Sequence, residues 1–238
     1  MDLLSVSSDS KTVKGEAYGY LTGILYLIPD IELCPFSLSA DCASDCLNFA
    51  GRGAMDSVQK GRKRKTDLYR NDPALFFEQV VGDIRALVRQ ALGKGMTPVV
   101  RLNGTSDIPY ERIPVTVDGV TYPNIMAVFP TVQFMDYTKI VARFKRPLPP
   151  NYDLTFSYSG TKAFRASVLK AIAYGARIAV VFDGVQPTEF MGMPVIDGDE
   201  SDLRFLDPQK TIIALRAKGK ARHSDSPFIV RIPAVQVA

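Results

Sequence analysis

The sequence predicts an α/β fold, a partial (β/α) barrel of mostly parallel strands, on three observations. Short apolar runs alternate with segments of helical periodicity, the pattern of parallel strands joined by helical crossovers. Each predicted strand is followed at once by polar residues, as happens where parallel strand ends converge on one ligand-binding face. No low-complexity tract, repeat or linker divides the 238 residues, so a single domain covering 1–238 is expected.

In chain order, residues 21–27 are apolar and predict a first strand, which Pro29 ends. A loop holding all three cysteines follows. Residues 52–70 are polar and basic and predict a helix that breaks at Asn71-Asp72-Pro73. Beyond that break Phe76, Phe77, Val80, Val81, Ile84, Leu87, Val88 and Ala91 recur at i, i+3, i+4 and i+7. This predicts a strongly amphipathic helix, with Asp72 as its N-cap and Gly93 and Gly95 at its end. Further strands are predicted at 98–102, 131–134, 154–156, 177–182 and 211–215, with a last edge strand at 228–232. A helix over 162–174 is expected to turn Val168, Leu169 and Ile172 inward.

Composition narrows the function classes. The hydrophobic share of 46% and charged share of 23% belong to an ordinary globular chain. A net charge of +4 permits contact with nucleic acid without demanding it. No apolar run approaches the roughly 18–20 residues that span a bilayer. The best, 18–28, contains Thr22 and Gly23 and stops at Pro29. The first residues also lack the basic start and long apolar stretch of a signal peptide. A cytoplasmic protein with no membrane partner is expected.

The polar strand ends supply the candidate chemistry. Asn103, Gly104, Thr105, Ser106 and Asp107 follow the second predicted strand, with Glu111 beyond. Asp136, Tyr137, Thr138 and Lys139 follow the third, and Asp136 and Lys139 are the candidate catalytic pair. Several such clusters on one face would form a pocket for a small molecule.

Cys34, Cys42 and Cys46 are spaced C-x7-C-x3-C. In a reducing compartment clustered thiols usually serve metal binding or catalysis, and an odd number cannot pair completely. Zinc would need a fourth ligand, and the only histidine is His223. Three thiolates suit a [4Fe–4S] cluster with one iron left open. Buried, inert thiols are the plainer alternative.

Two charged segments stand out. Lys60, Arg62, Lys63, Arg64 and Lys65 form a dense basic run, either a solvated helix face or a phosphate-binding surface for nucleic acid. Asp197, Asp199, Glu200 and Asp202 crowd one short segment without the spacing of an EF-hand loop. A turn whose acids pair with Arg204 or with the basic stretch 216–222 is expected.

The three N-terminal cysteines after a first strand, followed by a Gly-polar-acidic segment after the second, resemble the radical S-adenosylmethionine barrel. That resemblance implies a [4Fe–4S] cluster on Cys34, Cys42 and Cys46. It also implies S-adenosylmethionine held by Gly104, Thr105, Ser106 and Asp107 or by Glu111. The segments Cys42-Ala43-Ser44-Asp45-Cys46, Asn103-Gly104-Thr105-Ser106-Asp107, Gln133-Phe134-Met135-Asp136-Tyr137-Thr138-Lys139 and Gly198-Asp199-Glu200-Ser201-Asp202 resemble a second group. It is a family of bacteriophage and mobile-element proteins with a three-cysteine motif. This resemblance implies a phage-type protein of the host cytoplasm and brings no established activity with it.

Overall fold

The structure, a computed structural model, describes residues 2–7 and 10–232. Met1, Ser8, Asp9 and 233–238 of the expected 1–238 domain lie outside the described residues. The chain begins with β1 (Leu4–Val6), α1 (Ser10–Glu16) and β2 (Tyr20–Leu25). The cysteine loop then leads to α2 (Asp56–Asn71), α3 (Pro73–Gly93) and β3 (Thr97–Arg101). Next come the hairpin β4 (Val115–Val117) and β5 (Val120–Tyr122), α4 (Ile125–Val128), β6 (Gln133–Thr138) and β7 (Tyr152–Ser157). The chain continues through α5 (Arg165–Ala173), β8 (Arg177–Gly184), β9 (Glu189–Phe190), β10 (Met193–Asp197), β11 (Ile212–Arg216) and β12 (Ile229–Ile232).

Ten strands form one sheet in the order β1-β2-β3-β6-β7-β8-β11-β10-β9, with β12 beside β8. All pairings in it are parallel except β1–β2 and β10–β9. The fold is therefore mixed α/β around a mostly parallel sheet. The sheet is open: β1 and β9 stand at opposite ends of the path, whereas a closed barrel would pair its last strand with its first. From β2 to β8 the strands of this sheet lie in chain order. β7 pairs with β8 only as far as Ser157–Ala179, and β12 takes over the same strand from Ile229–Val181.

The long amphipathic helix forms as its periodicity requires. The Asp72 carboxylate accepts the amide of Leu75 at 3.0 Å and Pro73 opens the first turn, a favourable pairing of cap and N1 residue. Gly95 leaves the helix at φ 65°. Its inner face, with Phe76, Val80, Ile84 and Leu87, packs on Leu21, Leu25, Val100, Phe134 and Leu154. Each such side chain contributes about 1.5–3 kcal/mol on full burial. The helix α5 covers the neighbouring stretch, Phe156, Ile178, Val180 and Ile212, through Val168 and Ala171. Leu169, expected to face inward, is 52% exposed, because the buried stripe of this short helix runs through Val168 and Ala171 instead.

The opposite face carries a smaller apolar group, Val99, Met135 and Leu203, with buried ion pairs beside it. Arg101 pairs with Asp202 at 3.0 Å, and Tyr137 donates to the same carboxylate at 3.1 Å. Asp202 is thus held by Arg101 and Tyr137, and Arg204 pairs with Asp207 at 3.1 Å. Asp199 does meet the basic stretch, pairing with Lys218 at 2.5 Å. The hairpin β4–β5 turns through Asp118 and Gly119 at φ 51° and 80°, the left-handed pair that a two-residue type I′ turn requires. Among the described residues no helix is long and apolar enough to cross a membrane.

Candidate functional site

The connection from β2 to α2 contains no α-helix or strand and is built from turns. Asp30 starts it by accepting the amides of Glu32 and Leu33, each at 3.1 Å. Backbone bonds from Ala40 to Phe36 and from Cys42 to Ser37 close the next turns. Contacts from distant elements then hold the loop over the strand ends. The amide of Asp107, beyond β3, donates to Leu33 O at 2.7 Å. The Ser159 hydroxyl, beyond β7, donates to Ala40 O at 2.9 Å. The Ser224 hydroxyl, between β11 and β12, donates to Asp45 Oδ2 at 2.6 Å.

This places all three cysteines, unpaired and half-buried, at the carboxyl side of the sheet. Burial raises each thiol above its ordinary pKa, and Cys34 is pushed up to about 12. Cys34 also feels the charge of Asp107, Cys42 and Cys46, while Lys139 acts on all three in the opposite sense. Two of the sulfurs have backbone partners: Cys46 Sγ accepts the amide of Asn48 at 3.4 Å, and Cys42 Sγ donates to Ser37 O at 3.6 Å. Among the described residues no group of three His, Cys, Asp or Glu side chains is placed to hold a metal ion.

Lys139 stands just past the end of β6 and is buried. Its Nζ donates to Ser157 Oγ at 3.0 Å and Tyr158 O at 3.1 Å. The rings of Phe228 and Phe164 lie 4.5 and 5.7 Å away, in range of a cation–π contact. Burial lowers its pKa, and Cys42, Asp107, Cys34 and Cys46 act against that shift. Lys139 and the three thiols thus share one electrostatic neighbourhood.

The other candidates form a closed network that joins this neighbourhood through Asp107. Asp136 accepts the amide of Asn103 at 2.7 Å and the hydroxyl of Tyr152 at 2.9 Å. Burial raises its pKa to about 6. Gly104 has its amide on Leu25 O at 2.9 Å, and a Cβ there would meet Leu25 O and the Tyr26 ring at 2.6 Å. Thr105 donates to Leu27 O at 2.5 Å and Ser106 to Asn103 Oδ1 at 2.9 Å. Asp107 accepts the Lys139 amide at 2.7 Å and Arg143 at 2.9 Å, and Glu111 takes two bonds from the same guanidinium. The residues read from sequence as cofactor-binding therefore spend these polar groups on the protein itself. The organiser is Arg143, with no exposed surface, which the sequence reading missed. Its one signal was an arginine placed between Ala142 and Phe144 in a segment that otherwise reads as core.

The basic run is only partly a surface. Arg62 is buried, donating to Asn48 O and Oδ1 at 3.1 and 2.6 Å and lying 4.9 Å from the Tyr26 ring centroid. Lys63 pairs with Asp67 at 2.7 Å, and Lys65 donates to Leu3 O at 2.6 Å. Lys60 and Arg64 are exposed. A solvated helix carrying two structural cations describes the run better than a continuous phosphate track.

Comparison with protein families matches residues 3–232 to the family described as gene product 88. The chain belongs to the gene product 88 family. The match covers every strand and helix above, so the cysteine loop, the Arg143 network and Lys139 all lie within what this phage-type family describes. No curated protein and no solved structure shows a significant match to the chain.

Proposed function

We propose that Cys34, Cys42 and Cys46 hold a [4Fe–4S] cluster and that the chain is a divergent radical S-adenosylmethionine enzyme. The observation that carries this reading is the gathering of three unpaired thiols over the carboxyl ends of strands laid out in chain order. The donor set fits in kind and number, since three thiolates and no fourth ligand would leave one iron open. The three sulfurs do not stand together as a metal site in this structure, so the loop would have to draw in to hold the cluster. When bound, such a cluster would supply an electron for reductive cleavage of S-adenosylmethionine.

The chain's own residues supply the surroundings. Lys139 places a fixed cation beside the thiolates, offsetting their negative charge where water is excluded. Arg143 holds Asp107 and Glu111 rigid beneath the loop, and Asp107 in turn anchors Leu33 and the Lys139 backbone. Asp136, locked by Asn103 and Tyr152, acts by holding these strand ends in register. The turns of the loop would be the part to draw together around the cluster, since the strand ends below it are braced.

The test is anaerobic purification and reconstitution, followed by iron and sulfide analysis. The wild type is expected to take up about four irons per chain and to show visible cluster absorbance, and Cys42→Ala to lose both. An iron-free wild type, equal loading in Cys42→Ala, or zinc in place of iron overturns the reading.

A further inference from the structure

Between the cysteine loop and the turn after β11 lies a cleft of about 490 Å³, lined by Ser44, Asp45, Phe49, Lys220, His223 and Ser224. We propose that this cleft binds a phosphorylated nucleoside, either free or as one unit of a single strand. The base lies on Phe49, and Lys220 with His223 receives the phosphate. No thiol lines the cleft, but Ser44 and Asp45 lie between Cys42 and Cys46, so the inference is tested on iron-free as well as reconstituted protein.

The size falls within the range of roughly 300–1,000 Å³ usual for small-molecule sites. Phe49 is 47% exposed, an aromatic face left open on a short turn, and such faces stack on any base. The neighbouring cations are already committed: Lys218 pairs with Asp199, and Arg222 donates to Ala217 O at 3.2 Å. Lys220 and His223 are exposed and face the cleft. Asp45 is the only acid in the lining. Its Oδ2 is taken by Ser224, which leaves Oδ1 as the acceptor for a sugar hydroxyl. That bond, and the one from the Ser226 hydroxyl to Asp41 O, tie the two walls together. The site is formed before any ligand arrives, so little binding energy is spent on ordering it.

Equilibrium binding of AMP, adenosine, inorganic phosphate and a phosphorylated oligothymidylate tests this, using the full chain before and after iron reconstitution. AMP is expected to bind more tightly than adenosine or phosphate, and Phe49→Ala and Lys220→Ala each to weaken it about tenfold. Both residues are exposed, and circular dichroism confirms that the variants fold. An oligothymidylate that binds more tightly than AMP, and loses affinity with salt, identifies a strand as the source; equal affinity identifies a free nucleotide. Absence of binding by both AMP and the oligothymidylate overturns the proposal, as does wild-type affinity in either folded variant. Iron-free protein that still binds AMP separates this outcome from failure of the cluster reading.

Discussion

Arg143 Nη1 lies 2.9 Å from Asp107 Oδ1, and water reaches almost none of either side chain. Through this pair the turn after β6 grips the loop after β3, and the same guanidinium reaches Glu111 and Tyr152. Two carboxylates share one buried cation, which makes the arrangement sensitive to loss of that cation.

Arg143→Met is therefore expected to cost about 3–5 kcal/mol in urea unfolding, because it strands two buried carboxylates. Arg143→Lys is expected to recover only part of this, since an ammonium cannot reproduce the planar fork that reaches both acids. Unfolding of Arg143→Met at the wild-type urea midpoint would show that the pair bears no strain of the fold.

Asp136 makes stability depend on pH. Its folded pKa, about 6, is above the unfolded carboxylate value of roughly 3.9, so the folded state binds the proton more tightly. Its contribution is full below the unfolded value and is lost as pH rises through about 6. Melting curves from pH 4 to 7 should show a steeper fall in Tm for the wild type than for Asp136→Asn. Parallel curves for the two proteins would contradict the assignment. Asp107 and Asp207, also raised by burial, are present in both and cancel in the comparison.

Gly104 is required by close approach rather than by backbone conformation. An added Cβ would sit 2.6 Å from Leu25 O and from the Tyr26 ring, where the loop after β3 crosses the end of β2. Gly104→Ala should cost about 1–3 kcal/mol by overpacking, measured by chemical denaturation. Wild-type stability in this variant would mean that the two strand ends can separate freely.

The basic run divides by burial. Arg62→Ala should destabilise by about 1–3 kcal/mol, because it leaves Asn48 Oδ1 without its donor, while Gln59 still donates to Asn48 O. Lys60→Ala and Arg64→Ala should stay within about 0.5 kcal/mol of wild type. Equal effects at all three positions would restore the run to a uniform surface.

Local pattern was enough to place the main elements. The α3 periodicity, the Asp72 cap and the apolar runs of the parallel strands are each decided within a few residues, by side-chain period and backbone hydrogen bonding. The Asp118-Gly119 turn is equally local, although its flanking strands have only three residues each. Polar strand ends were also legible, because parallel strands bring them to one face. Whether those polar groups are open or spent is a matter of partners far along the chain. Arg143 meeting Asp107, Asp202 meeting Arg101 and Ser224 meeting Asp45 could not be read from any window of sequence. The same holds for the cysteine loop: sequence put three thiols close together, and tertiary packing set Lys139 among them and His223 across the adjoining cleft. Periodicity fixes what a segment becomes; charge pairing across a buried sheet decides which of its side chains remain free to act.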